Sequence, residues 1–228
     1  MAKQAASSQL VAKVERLFDK AVSGASAPTI APILEEKLFE LYVLGKMLAI
    51  YKKAHPSAVI SLEGPHSNAT IVVPKAPASA NKTKFSYFKI LNGREHLEGW
   101  ISVQVRTLSW KLSGASTNMP PAGRHELDAA IFIGPLSSAS PTFEELAVGA
   151  SCKHVKKAGK ENLREALGLR RETAYLRFAH TSRVPWLIPR IPAEPASAIF
   201  LVSSDPGCRS YRIPVDSMGL YVRYLRFP

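Results

Sequence analysis

The side chains able to do chemistry gather in two short apolar runs and the helical stretch that follows them. Leu146, Ala147, Val148 and Ala150 lead into Ser151-Cys152-Lys153, a basic loop runs from His154 to Lys160, and the next segment carries Glu161, Arg164 and Glu165. Upstream, Glu126-Leu127-Asp128-Ala129-Ala130-Ile131-Phe132 is an apolar strand with Asp128 inside it. Alternation along a strand puts Ser151 and Lys153 on one side and Leu146, Val148 and Ala150 on the other. With Asp128 on a neighbouring strand, its carboxylate can face Lys153. A helix folding back on the sheet brings Glu161 or Glu165 alongside. Two hard oxygen ligands beside one ammonium suit Mg2+, which uses few carboxylates, keeps waters and takes substrate phosphate oxygens as further ligands. Such a set could perform in-line displacement at a phosphodiester. The metal would polarise the phosphate, and Lys153 would orient or deprotonate the attacking water or balance charge in the transition state.

Each of these residues also has a plainer reading. Asp128 could pair with Arg124 or Arg106, Lys153 could be a strand-end lysine that has left the core, and Glu165 could be a surface ion-pair residue near Arg164 and Arg170. An acid inside an apolar strand is costly unless it is used, which favours a functional Asp128. Lys156, Lys157 and Lys160 are ordinarily a solvated charge run. Here, with Arg164, they follow the candidate site directly, where they could contact phosphate.

Other elements must position this set. Ile33 to Lys53 is the strongest helix, apolar round most of its circumference and therefore expected to lie buried against a sheet. Glu40 sits among its apolar residues, which calls for an ion partner such as Lys37 or Lys46, or a bound cation. Ser8 to Val22 reads as an earlier helix, with Leu10, Val14, Leu17, Phe18 and Ala21 at helical spacing. The small-residue linker Ser23 to Pro32 sets that helix off as an arm, giving an N-terminal part over residues 1–30 and a main domain over 31–228. Ala58 to Leu62, Ala69 to Val73, Phe85 to Leu91 and Trp100 to Leu112 read as strands of an antiparallel meander, with Asn92-Gly93 as a turn. Glu126 to Ile133, Glu144 to His154 and Ala198 to Ser203 are further strands, and Glu161 to Phe178 is a helix between the last two.

The whole chain sets limits on this reading. Its 228 residues and 46% hydrophobic content allow one domain with a sizeable core. A formal charge of +12 points to a polyanionic partner, with nucleic acid as the default. The two cysteines, Cys152 and Cys208, lack C-x-x-C spacing, which excludes the usual zinc modules and fits a reducing cytoplasm. The start has no apolar signal core. Leu38 to Tyr51 is interrupted by Glu40 and Lys46 and is too short to span a bilayer, so no membrane partner is expected. Neither a P-loop nor a dinucleotide-binding glycine motif occurs.

A helix, mixed strands, a lone Asp in an apolar strand, then a strand-borne lysine and another helix: this order resembles the PD-(D/E)xK nuclease superfamily. The usual acid two residues before the lysine is Ser151 here. Certain tetrameric restriction endonucleases share that departure, with Ser-x-Lys on the strand and the acid moved to the following helix. Ser151-Cys152-Lys153 followed by Asn162-Leu163-Arg164-Glu165-Ala166-Leu167 looks like that arrangement. Leu38-Phe39-Glu40 looks like the acid that the family often has on its first core helix. The resemblance implies an α/β (α+β), restriction-endonuclease-like fold: a central mixed sheet flanked by helices. It also implies a Mg2+-dependent DNA endonuclease of restriction or anti-phage type, working as a dimer or tetramer. Asp128 and Glu165 would hold metal, Glu161 is the fallback acid, Glu40 would be an outer ligand, and Lys153 would serve the water. Two alternatives stand beside it: a non-catalytic DNA-binding module, for which Ser151 argues, and a nuclease selective for junctions or damaged DNA.

Overall fold

The computed structural model describes residues 6–23, 28–30, 32–65, 70–71, 79–114, 119–176, 193–194, 197–216 and 218–228. Its frame is a seven-stranded mixed sheet with helices on both faces, a mixed α/β architecture of the α+β kind. In chain order the strands are β1 (Val59–Glu63), β2 (Tyr87–Asn92), β3 (Glu95–Arg106), β4 (Arg124–Ile133), β5 (Leu146–Lys153), β6 (Ala198–Ser203) and β7 (Leu220–Tyr224). They lie side by side in that same order. β1 to β5 pair antiparallel, whereas β6 and β7 join parallel to β5. Parallel neighbours need a crossover, and the helix α4 (Lys160–Glu172) supplies the one between β5 and β6.

The helix α2 (Glu35–Ala54) has acids in its first turn and lysines in its last, both matched to the helix dipole. Every residue from Leu38 to Gly45 is buried, as expected for an apolar helix laid across a sheet. Beside it packs α1 (Ser8–Ala21), capped by the Ser7 hydroxyl accepting from Leu10 N–H at 3.3 Å. Gly45 permits this close approach, since a Cβ there would sit 2.9 Å from Leu17 Cδ2. Val14, Phe18 and Ala21 are fully buried in the same core as Leu38, Leu44 and Leu48, and Phe18 stacks on Phe88 at 4.9 Å. The first helix is therefore part of the body, not an arm. Its apolar stripe covers sheet and α2 surface that would otherwise face water. The expected linker is only partly described.

The opposite face of the sheet holds a second core. Trp100, Val103, Leu127, Phe132 and Leu201 meet Ala166 and Leu169 of α4 there. The expected long strand over Trp100–Leu112 ends early: β3 stops at Arg106, and Leu108–Leu112 is a short helix capped by Thr107. The Thr107 hydroxyl takes the Trp110 N–H, a local bond that competes with extended pairing. The helix after β5 ends at Glu172 rather than Phe178, and Tyr175–Leu176 is extended, pairing with Ala193–Glu194. Residues 72–78, 177–192 and 195–196 fall outside the described set, as does most of the expected stretch from Thr181 to Pro195. Among the described residues, no helix is long and apolar enough to cross a membrane.

Candidate active site

The site begins at a fault in the sheet. β3 and β4 pair Ile101 with Ala129 and Val103 with Leu127, but the pair between them, Ser102 and Asp128, is missing from the ladder. Ser102 has φ of 47°, in the left-handed region that β-strand residues avoid. The in–out alternation reverses across this pair. Ile101 and Ala129 belong to the core under α2, whereas Val103 and Leu127 belong to the core under α4. The reversal turns Ser102 towards α2, where its hydroxyl donates to Glu40 Oε2 at 2.8 Å. It also frees Asp128 from regular pairing, and the Asp128 Oδ2 atom accepts the Cys152 N–H of β5 at 2.6 Å. A carboxylate thus takes the place of a ladder carbonyl where β4 and β5 separate.

Behind Asp128 stands α2. Lys37 Nζ lies 2.8 and 3.0 Å from the two oxygens of Glu40, 2.8 Å from Ser102 Oγ and 3.6 Å from Glu126 Oε1. Lys37, not Lys46, is therefore the ion partner of Glu40. Even so, Glu40 remains only 7% exposed, and burial, followed by the nearby Asp128 charge, raises its pKa to about 7. Burial likewise lifts Asp128 to about 6, against the Cys152 N–H and the Lys153 charge, which pull it down. Burial opposes the Lys37 charge as well, but the Glu40, Glu126 and Asp128 carboxylates together outweigh it and the Lys37 pKa ends raised. Cys152 faces the same pocket of charge. Its thiol is pushed well up by burial and then by Asp128 and Glu40, so it stays protonated and is no nucleophile.

On the α4 side, Lys153 Nζ donates to Glu165 Oε1 at 2.8 Å, and Ser151 Oγ stands 3.5 Å from the same oxygen. Ser151 and Lys153 thus share a side. Val148 and Ala150 face the α2 core, while an irregularity at Ile131/Phe132 turns Leu146 to the α4 core, away from the side expected for it. Of the two candidate acids on α4, Glu165 is the one at the lysine. The Glu161 carboxylate instead folds over the helix start, 2.0 Å from where a Cβ on Gly159 would lie. Asp128 does not share the side of Lys153 as simple alternation implies, because the reversal at Ser102 directs it to α2. The two meet only through charge, at the end of the sheet where β4 and β5 part.

Lys156, Lys157, Lys160 and Arg164 are all exposed on the loop and first turns leading from Lys153. Neither Arg106 nor Arg124 pairs with Asp128: Arg106 donates to Ser140 O at 3.0 Å and Arg124 to Met119 Sδ at 3.1 Å. Ser102 and Glu126 belong to the site but carry no pattern that marks them in the sequence. Glu126 precedes Asp128 by two positions, and its Oε1 is buried without a hydrogen-bond partner.

Among the described residues, no three His, Cys, Asp or Glu side chains are gathered as a ready metal cage. The donor set nevertheless fits a hard cation that needs only one or two carboxylates. The Asp128 charge helps to raise the pKa of the buried Glu40, Glu126 Oε1 has Lys37 Nζ at 3.6 Å but no hydrogen bond, and Glu165 is half exposed with Lys153 bound to one of its two oxygens. No family model matches the chain, and neither a curated protein nor a solved structure matches it.

Proposed function

We propose that this chain is a Mg2+-dependent DNA endonuclease, built on the pattern of the PD-(D/E)xK nucleases and acting in restriction or anti-phage defence. The observation that carries the reading is the Lys153–Glu165 contact of 2.8 Å together with the half-buried Asp128, whose carboxyl feels the Lys153 charge. The acid missing at Ser151 is supplied from the helix, at hydrogen-bond distance from the lysine. Asp128 and Glu165 would hold Mg2+, with Glu40 behind Asp128 as an outer ligand. When bound, the ion would polarise the phosphate and supply positive charge to the transition state.

The chain's own groups do the rest. Lys153 orients the attacking water and offsets charge on the phosphate. Glu165 fixes the Lys153 ammonium. Lys37 and Ser102 hold the Glu40 carboxylate, and the Cys152 N–H holds that of Asp128. The water oxygen bonds to phosphorus as the opposite P–O bond breaks. The attacking water's proton passes to solvent and the leaving oxygen takes a proton from solvent, which leaves a phosphomonoester and a hydroxyl. Lys156, Lys157, Lys160 and Arg164 would contact backbone phosphates. Cutting both strands calls for two such sites and hence a homo-oligomer.

The test is plasmid DNA incubated with Mg2+, with EDTA, and with Lys153→Ala. Cleavage should appear only with the wild type and metal. Tight DNA binding with no cleavage of any DNA form would instead mean a binding module on a nuclease-like frame.

A further inference from the structure

We propose that a cleft lined by Arg209, Arg212 and Arg223 is a second anchoring site for the phosphodiester backbone of a nucleic-acid strand. The cleft has a volume of about 590 Å³ at the β7 edge of the sheet, and Asp216, Val222 and Tyr224 complete its lining.

The arginines are already ordered. The Arg209 guanidinium lies 4.6 Å over the Tyr224 ring, and Arg223 lies 5.6 Å over Tyr221 and 5.9 Å over Phe200. Arg223 Nη1 also donates to Val222 O at 2.9 Å. A guanidinium resting on an aromatic ring still has N–H groups for oxygen acceptors, and its fork geometry matches two phosphate oxygens. Arg212 Nε reaches Asp216 Oδ2 at 3.4 Å. The acid in the cleft is thereby taken up by one arginine, and among the described residues no acid is ion-paired with Arg209 or Arg223. Holding these side chains in place beforehand lowers the ordering cost of binding.

The location fits a strand that also passes the Lys153 site. Ser203 of β6 pairs with Lys153 on one side and with Tyr224 on the other. All three stand at the carboxyl ends of parallel strands, the end at which open α/β sheets receive ligands. Two strand spacings, about 10 Å, separate Tyr224 from Lys153. A phosphate in the arginine cleft and the scissile phosphate at Lys153 can therefore belong to one backbone. The inference takes its ligand class from the nucleic-acid reading, but its test does not depend on cleavage.

The full chain is titrated with a fluorescently labelled DNA duplex in EDTA over a range of salt concentrations. Removal of two phosphate contacts lowers the slope of log affinity against log salt by about 2. R209Q/R223Q is expected to show that loss, with affinity reduced roughly tenfold at moderate salt. R212Q should show a smaller loss in the same direction. R94Q, in the turn between β2 and β3 at the opposite end of the sheet, should match the wild type. Equal slopes in R209Q/R223Q, R212Q and R94Q would overturn the proposal. So would loss of inorganic-phosphate binding by calorimetry without any change in the DNA slope, which would mark a free-anion site. Binding through the cleft by a chain that never cuts supports the inference and defeats the nuclease reading. Cutting with unchanged slopes does the reverse.

Discussion

Lys153 links the two halves of the candidate site. It is hydrogen-bonded to Glu165 on α4, and its charge acts on Asp128 at the end of β4. The choice between Glu165 and Glu161 is open in the sequence, where both follow the lysine on one helix. In the structure the turn of α4 that faces the strand carries Glu165, which contacts Lys153. Glu165→Ala should reduce Mg2+-dependent cleavage by roughly 10–100-fold or more, while Glu161→Ala should stay within about twofold of wild type. The reverse ranking in initial rates would move the acid to Glu161. The carboxyl pair behind the lysine makes a separate, pH-linked prediction. Glu40 and Asp128 are raised to about 7 and about 6, so the folded chain keeps protons that the unfolded chain has already lost. The contribution of this pair to stability therefore falls as pH rises from roughly 4 to 7, and the penalty is complete above that window. Without metal, Glu40→Gln should be more stable than wild type near pH 8 by on the order of 2 kcal/mol, with the advantage vanishing near pH 4. Urea melts at the two pH values read this directly, and a difference independent of pH would mean that Glu40 is held charged. Mg2+ should likewise raise the melting temperature of the wild type more near pH 8 than near pH 5.

Among the elements, α2 and the β3–β4 fault matter most. α2 could be anticipated because an apolar circumference leaves a helix few places to lie, and Glu40 stood out because a lone acid there is expensive. Ser102 could not be anticipated. A serine in a strand is unremarkable, and its φ of 47° arises only where β3, β4 and α2 meet. That same fault directs Asp128 to α2, so simple alternation placed it on the wrong side of the sheet. The small helix after β3 is hidden for a related reason, since the alternating pattern runs on through Thr107 while a side-chain cap ends the strand. The small residues after the first helix read as a linker, yet Phe18 is fully buried against Phe88. Phe18→Ala should cost about 3–5 kcal/mol in chemical denaturation, as for other core aromatics. A cost below about 1 kcal/mol would return α1 to the status of an appendage.

For the whole molecule, a charge of +12 pointed to a polyanion, and the exposed basic residues after Lys153 give that charge a place. If both DNA strands are cut, two chains should occupy one duplex, and sedimentation of the complex in EDTA should show at least two chains per DNA. A single bound chain at saturation would argue for a nicking enzyme or a binding module. The sequence by itself determined the strands and helices with strong periodicity, the cost of Asp128 and Glu40 in apolar settings, and the short reach from Lys153 to the next helix, because these depend on neighbours along the chain. The tertiary structure alone decided which acid meets Ser151-Cys152-Lys153, how Ser102 and Lys37 hold Glu40, and that Arg209, Arg212 and Arg223 share one cleft. Those contacts join residues far apart in sequence, and they depend on a reversed strand alternation and on the angle at which α4 returns to the sheet.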